Sequence, residues 1–407
     1  MSIGFRVVKL GEVASFVRGI TFKPTDVVPV GTPGSVLCMR TKNVQSVLDL
    51  TDVWAVDASL VRRQEQFLRR GDTLVSSANS WNLVGKCSWI PEMDLPASFG
   101  GFVSVLRPDS SNLNPRYLYH WFSNPRTQAM VRSFGRRTTN ISNLNFDRCL
   151  TLDLPLPPIE EQERVVELLD KADELRAKRR EALTSLGGLQ RAVFLDMFGD
   201  PVLNSRRWPR VTLGSLLSEI QSGHSPQCLD RPALAGEWAV LKLGAVSKCE
   251  YNQLQNKALP AGVTPNKEDE IQVGDLLFSR KNTPDLIAAC VLIRKTAPRL
   301  LMPDLIFRLK LAPGAEVDAA FLHQLLIFPT KRRKIQSLAG GSAGSMPNIS
   351  KAKLRDVEVE LPPLDLQREF AARSNLIESA VAAHRAALAE LDALFASLQE
   401  RAFRGAL

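Results

Sequence analysis

The chain has 407 residues, 44% of them hydrophobic and 23% charged, a composition typical of folded domains rather than of a disordered chain. A single core rarely grows to this length, so two or three domains are expected. No run of eighteen apolar residues and no signal peptide is recognisable, and the six scattered cysteines lack metal-binding spacing. These features predict a cytoplasmic protein with reduced thiols and without a metal cluster.

Positive charge dominates the chain, with a formal net charge of +9 and a pI of about 9.4. The two segments that we predict below as long helices, residues 160–199 and 364–407, contain slightly more acidic than basic residues. The excess of lysine and arginine therefore belongs to the remaining, globular parts. A basic globular surface favours a polyanionic partner such as nucleic acid.

One structural plan occurs twice along the chain. Gly71-Asp72 in the first half corresponds to Gly274-Asp275, 203 residues later, and the sequence "NIS" that begins at Asn140 recurs at Asn348. "LPPIEEQ" likewise recurs as "LPPLDLQ". Because the spacing is nearly constant while the intervening sequence diverges, each half is expected to keep one scaffold and to carry different surface loops.

In the first half, "GSVLCM", "DTLVSS" and "FVSVL" predict strands, because each is a short apolar run bounded by turn residues. "NPRYLYHWFSNPRTQAMVRSF" predicts two short helices separated at Pro125. The pair Pro157-Pro158 cannot continue a strand ladder, so it ends the globular part and precedes a long charged helix.

The second half repeats this order. "AACVLIRK" predicts a strand, "DAAFLHQLLIFPTKRRKIQSL" predicts two short helices separated at Pro329, and Pro362-Pro363 precedes a second long helix. The predicted fold class is α+β, with two β-rich domains (residues 1–155 and 201–360), each followed by a long helical segment (residues 156–200 and 361–407).

Both long segments carry apolar residues at alternating steps of three and four, the pattern of a coiled-coil seam, which predicts that the two helices pair as an antiparallel coiled coil. Arg179 and His384 are polar seam positions that either fix the register or mark a splayed point. Gly187-Gly188 interrupts the first helix at a cost of roughly 2 kcal/mol and predicts a kink or a close helix approach. The seam consists of Val165, Leu168, Ala172, Leu175, Arg179, Ala182, Leu186, Leu189 and Val193 in the first helix, and of Ile377, Val381, His384, Leu388, Leu391, Phe395, Leu398 and Ala402 in the second.

No motif of an enzyme stands out. A Gly-rich cofactor loop, a methyltransferase Asn-Pro-Pro-aromatic motif, a phosphate-binding Walker loop and a nucleophile elbow are all missing from the sequence. Two alternatives stay open. One is a cryptic nuclease, although carboxylates near lysines, such as Asp304 near Lys310, occur no more often than by chance. The other is a coiled-coil scaffold that binds protein alone.

With these repeated motifs the chain resembles the specificity subunit of Type I restriction–modification systems. The order of domains and helices resembles that family over nearly the whole chain, but the sequence itself does so only at a few motifs. These are Gly19-Ile20-Thr21, Gly223-His224-Ser225-Pro226, the two "NIS" turns, the two "LPP" segments, Gln162, Gln367, Phe194 and Phe403. The sequence departs from the family pattern at "GITFKP", which lacks the usual Gly-x-Thr/Ser-Pro turn, and at Leu366, which replaces an acid.

The resemblance implies a non-catalytic DNA-binding subunit that recognises a bipartite, asymmetric target, with one half-site for each β-rich domain. It also implies partners: double-stranded DNA, two methyltransferase subunits and restriction subunits. No cofactor is expected on this chain, and S-adenosylmethionine and ATP are expected on the partner subunits. Forty helical residues span about 60 Å and one turn of DNA roughly 34–36 Å, so paired helices are long enough to act as a ruler between the half-sites.

Candidate DNA-contacting residues lie in the polar loops that differ between the halves and in two basic clusters, because Arg, Asn and Gln can read base edges while Lys positions phosphates. The two "NIS" turns recur unchanged and are therefore interpreted as structural. The candidates are Thr21, Lys23, Ser77, Asn79, Ser80, Asn82, Lys86, Arg136, Arg137 and Thr138 in the first half, and His224, Ser225, Gln227, Arg280, Lys281, Asn282, Lys331, Arg332, Arg333, Lys334 and Ser345 in the second.

Overall fold

The computed structural model describes residues 5–109, 111–137, 141–340 and 346–405, with only the backbone of Arg136 and Arg137. It divides into two compact units. Unit 1 combines Met1–Arg180 with Arg385–Leu407, and unit 2 is the continuous stretch Glu181–His384. Each unit therefore contains a β-rich part and one portion of each long helix.

The elements of the first half are, in chain order, β1 (Arg6–Lys9), β2 (Ala14–Arg18), β3 (Val27–Val28), β4 (Ser35–Met39), β5 (Trp54–Asp57), β6 (Thr73–Ser76), β7 (Ala78–Asn79), β8 (Cys87–Trp89), β9 (Ala97–Phe99), β10 (Val103–Pro108), α1 (Pro115–Ser123), α2 (Pro125–Ser133), β11 (Arg136–Arg137), β12 (Ser142–Asn143), α3 (Phe146–Leu150), β13 (Asp153–Leu156) and the long helix α4 (Ile159–Phe198).

The elements of the second half are β14 (Arg210–Thr212), α5 (Leu213–Leu216), β15 (Leu217–Ser222), β16 (Ala239–Leu241), β17 (Asn256–Ala258), β18 (Leu276–Ser279), β19 (Cys290–Leu292), β20 (Leu300–Leu301), β21 (Ile306–Leu311), α6 (Ala319–Ile327), α7 (Pro329–Gln336), α8 (Lys351–Arg355), β22 (Glu358–Glu360) and the long helix α9 (Leu364–Ala402). The predicted strands and the two pairs of short helices are confirmed, and Pro125 and Pro329 each occupy the first position of a helix, where proline is favoured.

The repeat is visible in the sheets of the two units. Unit 1 has a four-stranded sheet in the order β2-β10-β6-β8, and unit 2 has the corresponding order β15-β21-β18-β19. The pair β1-β13 corresponds to β14-β22, and each closes the β-rich part directly before a long helix. The units differ in their second sheets, β3-β5-β4-β9 in unit 1 and β17-β16-β20 in unit 2.

Each unit has a core in which a four-stranded sheet, short helices and parts of both long helices pack together. In unit 1, Tyr117 and Phe122 of α1 are fully buried near Val165 and Leu169 of α4 and Ala402 of α9. In unit 2, Phe194, Phe198, Phe321 and Phe370 form an aromatic cluster with ring centroids 4.9–5.9 Å apart. Such contacts supply much of the packing energy of a small core.

Within each unit the two long helices run antiparallel. In unit 2, Gln190 donates to the hydroxyl of Ser374 at 3.0 Å, and Phe194, one turn later on α4, contacts Phe370, one turn earlier on α9. In unit 1, the guanidinium of Arg176 lies 2.6 Å from Asp392 and 4.3 Å from the ring of Phe395. The predicted antiparallel pairing of the helices is thus confirmed.

The seam predicted for the first helix is wrong at three positions. Leu168, Leu175 and Leu189 are 41–47% exposed, whereas Leu169 and Arg176, one residue later in each of the first two cases, face the core. The cause is that the helix packs on its own domain as well as on the other helix, so Leu169 and Arg176 replace Leu168 and Leu175 on the buried face, while Val165 and Ala172 stay buried. Val165 and Leu186 are at least half-buried, as are Ile377, Val381, Leu388, Leu391, Phe395 and Leu398 of the second helix.

The polar and glycine positions of the helices fall near the division between the units. Arg179 is exposed and His384 half-buried, and the units divide after Arg180 and after His384. The helix α4 continues through Gly187 and Gly188 without interruption, and a Cβ at either glycine would meet no atom within 4 Å. The prediction of a close helix approach at this glycine pair is therefore wrong.

Candidate nucleic-acid interface

The Gly-Asp turn that marks each repeat is held by a buried arginine. In unit 1 the Asp72 carboxylate accepts two hydrogen bonds from Arg107, at 2.6 and 2.7 Å, and Gly71 has a φ of +95° that favours glycine. In unit 2 Arg308 lies 2.9 Å from Asp275. A bidentate guanidinium pair of low exposure is among the stronger polar contacts in proteins. The turn thus fixes where the following polar loop begins.

In unit 1 this loop is joined to the basic cluster by a small sheet. The strand β7 pairs with β12, which begins at Ser142, the last residue of the "NIS" turn, and β12 pairs with β11, formed by Arg136 and Arg137. The carbonyl of Ser77 also accepts a hydrogen bond from the backbone of Leu144 at 2.8 Å. Two groups of candidates that lie about 60 residues apart in the sequence are therefore brought together. Thr138 and Asn140 lie outside the described residues.

Side chains of this loop divide into inward and outward groups. Ser77 is buried and Asn79 half-buried, with the Asn79 amide donating to the hydroxyl of Ser76 at 3.0 Å. Lys86 is half-buried and donates to the side chain of Gln45. Ser80 and Asn82 are exposed. The prediction of DNA contact is therefore corrected for Ser77, which faces the protein because β7 continues directly from the buried strand β6.

The N-terminal loop of unit 1 joins the same surface. The backbone N–H of Ile20 donates to the carbonyl of Phe99 at 2.8 Å, and a Cβ at Gly19 would lie 2.3 Å from the carbonyl oxygen of Gly100. Only glycine permits this approach. Thr21 and Lys23, which follow, are exposed.

Phe102 connects the two loops of unit 1 through its backbone. It lies on the turn that follows Gly100, and its carbonyl accepts hydrogen bonds from the N–H groups of Ser77 and Ala78 at 3.0 and 3.1 Å. We call the resulting surface interface 1; its exposed side chains are Thr21, Lys23, Ser80, Asn82 and Phe102.

Unit 2 has the same framework with different side chains. A Cβ at Gly223 would lie 1.9 Å from the carbonyl oxygen of Met302, so the N-terminal loop approaches the neighbouring turn as it does at Gly19. The N–H of Arg280 donates to the carbonyl of Leu305 at 3.2 Å, as the N–H of Ser77 does to the carbonyl of Phe102. Lys281 forms a bridge with Asn348 of the second "NIS" turn. Ser345 lies outside the described residues.

The N-terminal loop of unit 2 exposes His224, Ser225 and Gln227. The imidazole Nδ1 of His224 lies 2.6 Å from a carboxylate oxygen of Asp269, whose side chain is almost completely buried. The hydroxyl of Ser225 donates to Asp304. The Asp269 carboxylate therefore orients the exposed imidazole of His224. We call the surface formed by His224, Ser225, Gln227 and the half-buried Arg280 and Lys281 interface 2.

Two predicted contacts in unit 2 are corrected. Asn282 is buried, and its amide donates to the hydroxyl of Ser247 at 2.9 Å. Lys331 is 1% exposed and its ammonium lies 2.6 Å from Glu360, while burial lowers its pKa despite the hydrogen bond and charge of that carboxylate. It faces the core because Ile335, four residues later on the same side of α7, belongs to the buried face of that helix.

The remaining members of the second basic cluster contact the protein itself. Arg332 donates to the carbonyls of Asp285, Ile287 and Ala288 at 3.1–3.2 Å and so holds the candidate loop. Arg333 is exposed and donates to the carbonyl of Pro329, and Lys334 lies 3.3 Å from Glu358. The cluster is therefore mostly structural, and exposed Arg333 and Lys334 lie on α7 rather than in the loops of interface 2.

The sequence patterns did not point to Arg107 and Arg308 as residues of the site. Arg107 donates to the carbonyls of Glu65 and Phe67, and Arg308 donates to those of Glu268 and Glu270, which occupy the same places in the repeat. The two arginines themselves do not occupy the same place in the repeat. Arg308 pairs with Leu277, the second residue after Asp275, whereas Arg107 lies one residue after Leu106, which pairs with Thr73, the first residue after Asp72. No aligned pair therefore signalled them.

Asp304 and Lys310, the residues of the nuclease alternative, contact different partners. Asp304 accepts from Ser225 and Lys310 pairs with Glu219 at 2.8 Å, so these two residues have separate partners. Within the ranges that the structure describes, no group of three or more His, Cys, Asp or Glu side chains is placed so that it could hold a metal ion, and no helix is long and apolar enough to cross a bilayer.

The family match follows this geometry. Residues 3–185 match the profile of the family described as the Type I restriction modification DNA specificity domain. Over 99% of its length, the chain is 24% identical to the EcoKI specificity subunit of Escherichia coli K12, of which 89% is covered. It is 23% identical, with the same two coverages, to the StySPI specificity subunit of Salmonella potsdam.

Solved structures share the fold. The crystal structure of the S subunit of a Type I restriction–modification system from M. genitalium has a TM-score of 0.60 at 13% identity, covering 98% of this chain and 96% of that chain. A structure from work on complex assembly and conformational transition of the type I R-M system has a TM-score of 0.52 at 19% identity, covering 100% and 99%. The resemblance to Type I specificity subunits stated from the sequence is confirmed.

Proposed function

We propose that this chain is the non-catalytic DNA-recognition subunit of a Type I restriction–modification complex, in which each unit reads one half of a bipartite, asymmetric target. The observation that carries the proposal is the duplicated framework with unlike side chains: the Gly-Asp turn, the glycine approach and the "NIS" pairing recur, while interface 1 and interface 2 expose different residues. Two different readers on one chain favour two different half-sites, whereas a symmetric homodimer would favour a palindrome.

The exposed side chains are suited to this role. Asn82 and Gln227 are amides that can pair with adenine, Ser80 and Ser225 are hydroxyls that accept or donate, and Lys23 can position a phosphate. The net charge of +9 supports a polyanionic partner. The six cysteines are free thiols, which supports work in the reducing cytoplasm.

We further propose that two methyltransferase subunits bind the long helices, that restriction subunits join the same complex, and that S-adenosylmethionine and ATP bind those partners. The supporting observation is a set of exposed leucines on the two helices. Unit 1 contributes Leu168, Leu175 and Leu394, and unit 2 contributes Leu189, Leu195 and Leu376. Exposed leucines in such number on charged helices are typical of a surface that a partner covers.

The DNA role is tested by mapping methylated adenines in the host genome with and without this gene. Loss of one split motif, two unlike short sequences around a fixed gap, is the expected result. An unchanged map in the presence of active partner subunits would overturn the proposal. A chain that binds its partners but no duplex would instead be a protein scaffold.

The assignment of half-sites is tested with two double variants, S80A/N82A in unit 1 and H224A/Q227A in unit 2. Each is expected to weaken binding of duplexes with the split motif roughly 10-fold and to relax one half-site while leaving the other. Gln64→Ala and Gln272→Ala are matched controls, since both glutamines are exposed but lie outside the two interfaces. Relaxation of both half-sites by either double variant would contradict the assignment.

The docking of partners is tested with Leu168→Glu and Leu175→Glu, singly and together. These changes are expected to abolish co-purification of the methyltransferase without unfolding unit 1, because both side chains are already in solvent. Leu50→Glu, equally exposed but away from the long helices, is the control and is expected to leave co-purification intact. Retained co-purification in the double variant would remove the proposed docking surface.

A further inference from the structure

Phe102 is the aromatic residue that interface 1 leaves in solvent. Its side chain is 65% exposed, whereas every other aromatic side chain in the described ranges is buried or half-buried. Exposing a phenylalanine forgoes the favourable transfer of its ring out of water. The other exposed members of interface 1, Thr21, Lys23, Ser80 and Asn82, are polar or charged. An exposed aromatic ring in a polar surface is a feature that folding does not explain.

The backbone around Phe102 holds the ring in this position. The Val103 N–H donates to the carbonyl of Gly100 at 2.9 Å, which closes a turn, and the Gly100 N–H donates to Met39 at 2.9 Å. The Phe102 carbonyl receives two hydrogen bonds, from Ser77 and Ala78. Four backbone hydrogen bonds therefore fix the turn. They fix the direction in which the Cα–Cβ bond of Phe102 leaves the backbone, and the side chain on that bond is exposed.

The neighbours of the ring indicate what partner would contact it. Thr21 lies beside the turn, with its hydroxyl 4.0 Å from the position of a Cβ on Gly101. On the other side, Ala78 begins β7, which pairs with β12, and β12 in turn pairs with the backbone of Arg136 and Arg137 in β11. Aromatic or other apolar side chains placed among hydrogen-bonding and basic groups are used by DNA-binding proteins to stack on bases and to enter a base step.

Unit 2 provides an internal comparison. Leu305 takes the place of Phe102, since its carbonyl accepts a hydrogen bond from Arg280 as that of Phe102 accepts one from Ser77. Leu305 is half-buried and has no aromatic ring, and it lines a cavity with Pro226 and Val240. The framework is the same, but the stacking group is present in unit 1 alone.

We propose that Phe102 enters the duplex in the half-site read by unit 1 and stacks on a base there, while the half-site read by unit 2 keeps its base stacking. This inference rests on the proposed DNA-reading function and adds a residue that deforms DNA to those that read it. Discrimination then includes the cost of unstacking one base step, which depends on sequence and is lowest at pyrimidine–purine steps. Interface 1 thus selects partly by the flexibility of its half-site.

The test uses the full chain in its methyltransferase complex and duplexes of the mapped split motif, with 2-aminopurine at single positions in each half. Apart from the methylated adenines of the two halves, the wild type is expected to raise the fluorescence at one step of the unit 1 half-site and at no step of the other half. Phe102→Ala is expected to remove that signal and to weaken binding roughly 10-fold, the value of about one base–aromatic stack. Phe102→Trp is expected to retain both.

Leu95→Ala is the matched control, because Leu95 is also exposed and lies near the opposite end of β9 from Phe102. It is expected to change neither fluorescence nor affinity. A wild-type signal that persists in Phe102→Ala would overturn the inference, as would loss of affinity in that variant without any fluorescence signal in the wild type, which would indicate a groove contact. Absence of specific binding by the wild type would instead refute the proposed function.

Discussion

Gln162 and Gln367 make the same three hydrogen bonds in their respective units. The Gln162 amide donates to the carbonyls of Asn112 and Pro157 and its oxygen accepts from the N–H of Asn114, all at 2.8 Å. Gln367 donates to Glu316 and Pro362 and accepts from Asp318, at 2.7–3.1 Å. Both side chains are fully buried. Each therefore fastens the start of a long helix to the start of a short one.

Replacing either glutamine is expected to destabilise its own unit. Gln162→Ala removes three hydrogen bonds made by a fully buried side chain, and the expected loss is about 2–4 kcal/mol of unfolding free energy. Gln64→Ala, at an exposed position of unit 1, is expected to cost less than about 0.5 kcal/mol. Urea unfolding followed by circular dichroism measures both. Equal effects of the two substitutions would show that the hydrogen bonds of Gln162 contribute nothing.

The buried pair Lys331–Glu360 predicts a strongly non-additive pair of substitutions. Lys331→Met leaves Glu360 with only Arg210, 3.4 Å away, and is expected to cost about 3 kcal/mol. The double variant K331M/E360M removes both charges and is expected to recover most of this loss. Lys334→Met, at an exposed ion pair, is expected to change stability by less than about 1 kcal/mol. A double variant no more stable than K331M would contradict the explanation.

His323 predicts a loss of stability in acid. Its imidazole donates toward the carbonyl of Cys290, and burial, with a smaller contribution from Arg294, lowers its pKa to about 4 from 6.5, against the opposing effect of that hydrogen bond. As the pH falls, the unfolded chain takes up a proton first. The contribution is therefore complete above about pH 6.5, decreases down to about pH 4 and is constant below it, a total of roughly 3 kcal/mol.

The measurement for His323 compares pH titrations of unfolding free energy in the wild type and in His323→Gln, which retains a donor for Cys290. The variant is expected to lose about 3 kcal/mol less than the wild type between pH 7 and pH 4. Parallel curves would mean that His323 is protonated at the same pH in the folded and unfolded chain. Other acidic groups contribute equally to both proteins and cancel in the difference.

Gly187 and Gly188 predict a stabilising change. Both lie inside a continuous helix with open space around them, so alanine at each position is expected to add about 1 kcal/mol. Gly274 is the matched control: its surroundings are equally open, but its φ is +96°, so Gly274→Ala is expected to destabilise by about 1 kcal/mol. Thermal unfolding measures all three. Destabilisation by G187A would indicate that this helix bends in solution.

The repeat made the scaffold predictable. Local backbone geometry requires glycine or proline at certain positions, and these residues can be recognised in the sequence. Gly71, Pro125 and the proline pairs before the long helices all mark the elements expected. The buried face of α4 was not predictable at Leu168 or Leu175, because a helix that packs on two neighbours does not follow the heptad of either.

The sequence was sufficient to locate the loops of the two interfaces but identified only some of the side chains that they expose. Lys331 and Arg332 have the composition of a phosphate-binding cluster, and only the burial of one face of α7 shows that they hold the protein together. Phe102 went unnoticed because an apolar residue at the start of "FVSVL" reads as part of a strand. Exposure is a property of the tertiary fold, and no local pattern reports it.

The division of the chain also sets an order of folding. Unit 2 is one continuous stretch, whereas the core of unit 1 requires Leu398, Ala402 and Phe403 from the last residues described. During synthesis the N-terminal unit thus waits for more than two hundred further residues, roughly 10–45 s at ribosomal speed, with part of its core uncovered. Unit 1 is therefore the unit whose core stays incomplete while the whole of unit 2 is being made.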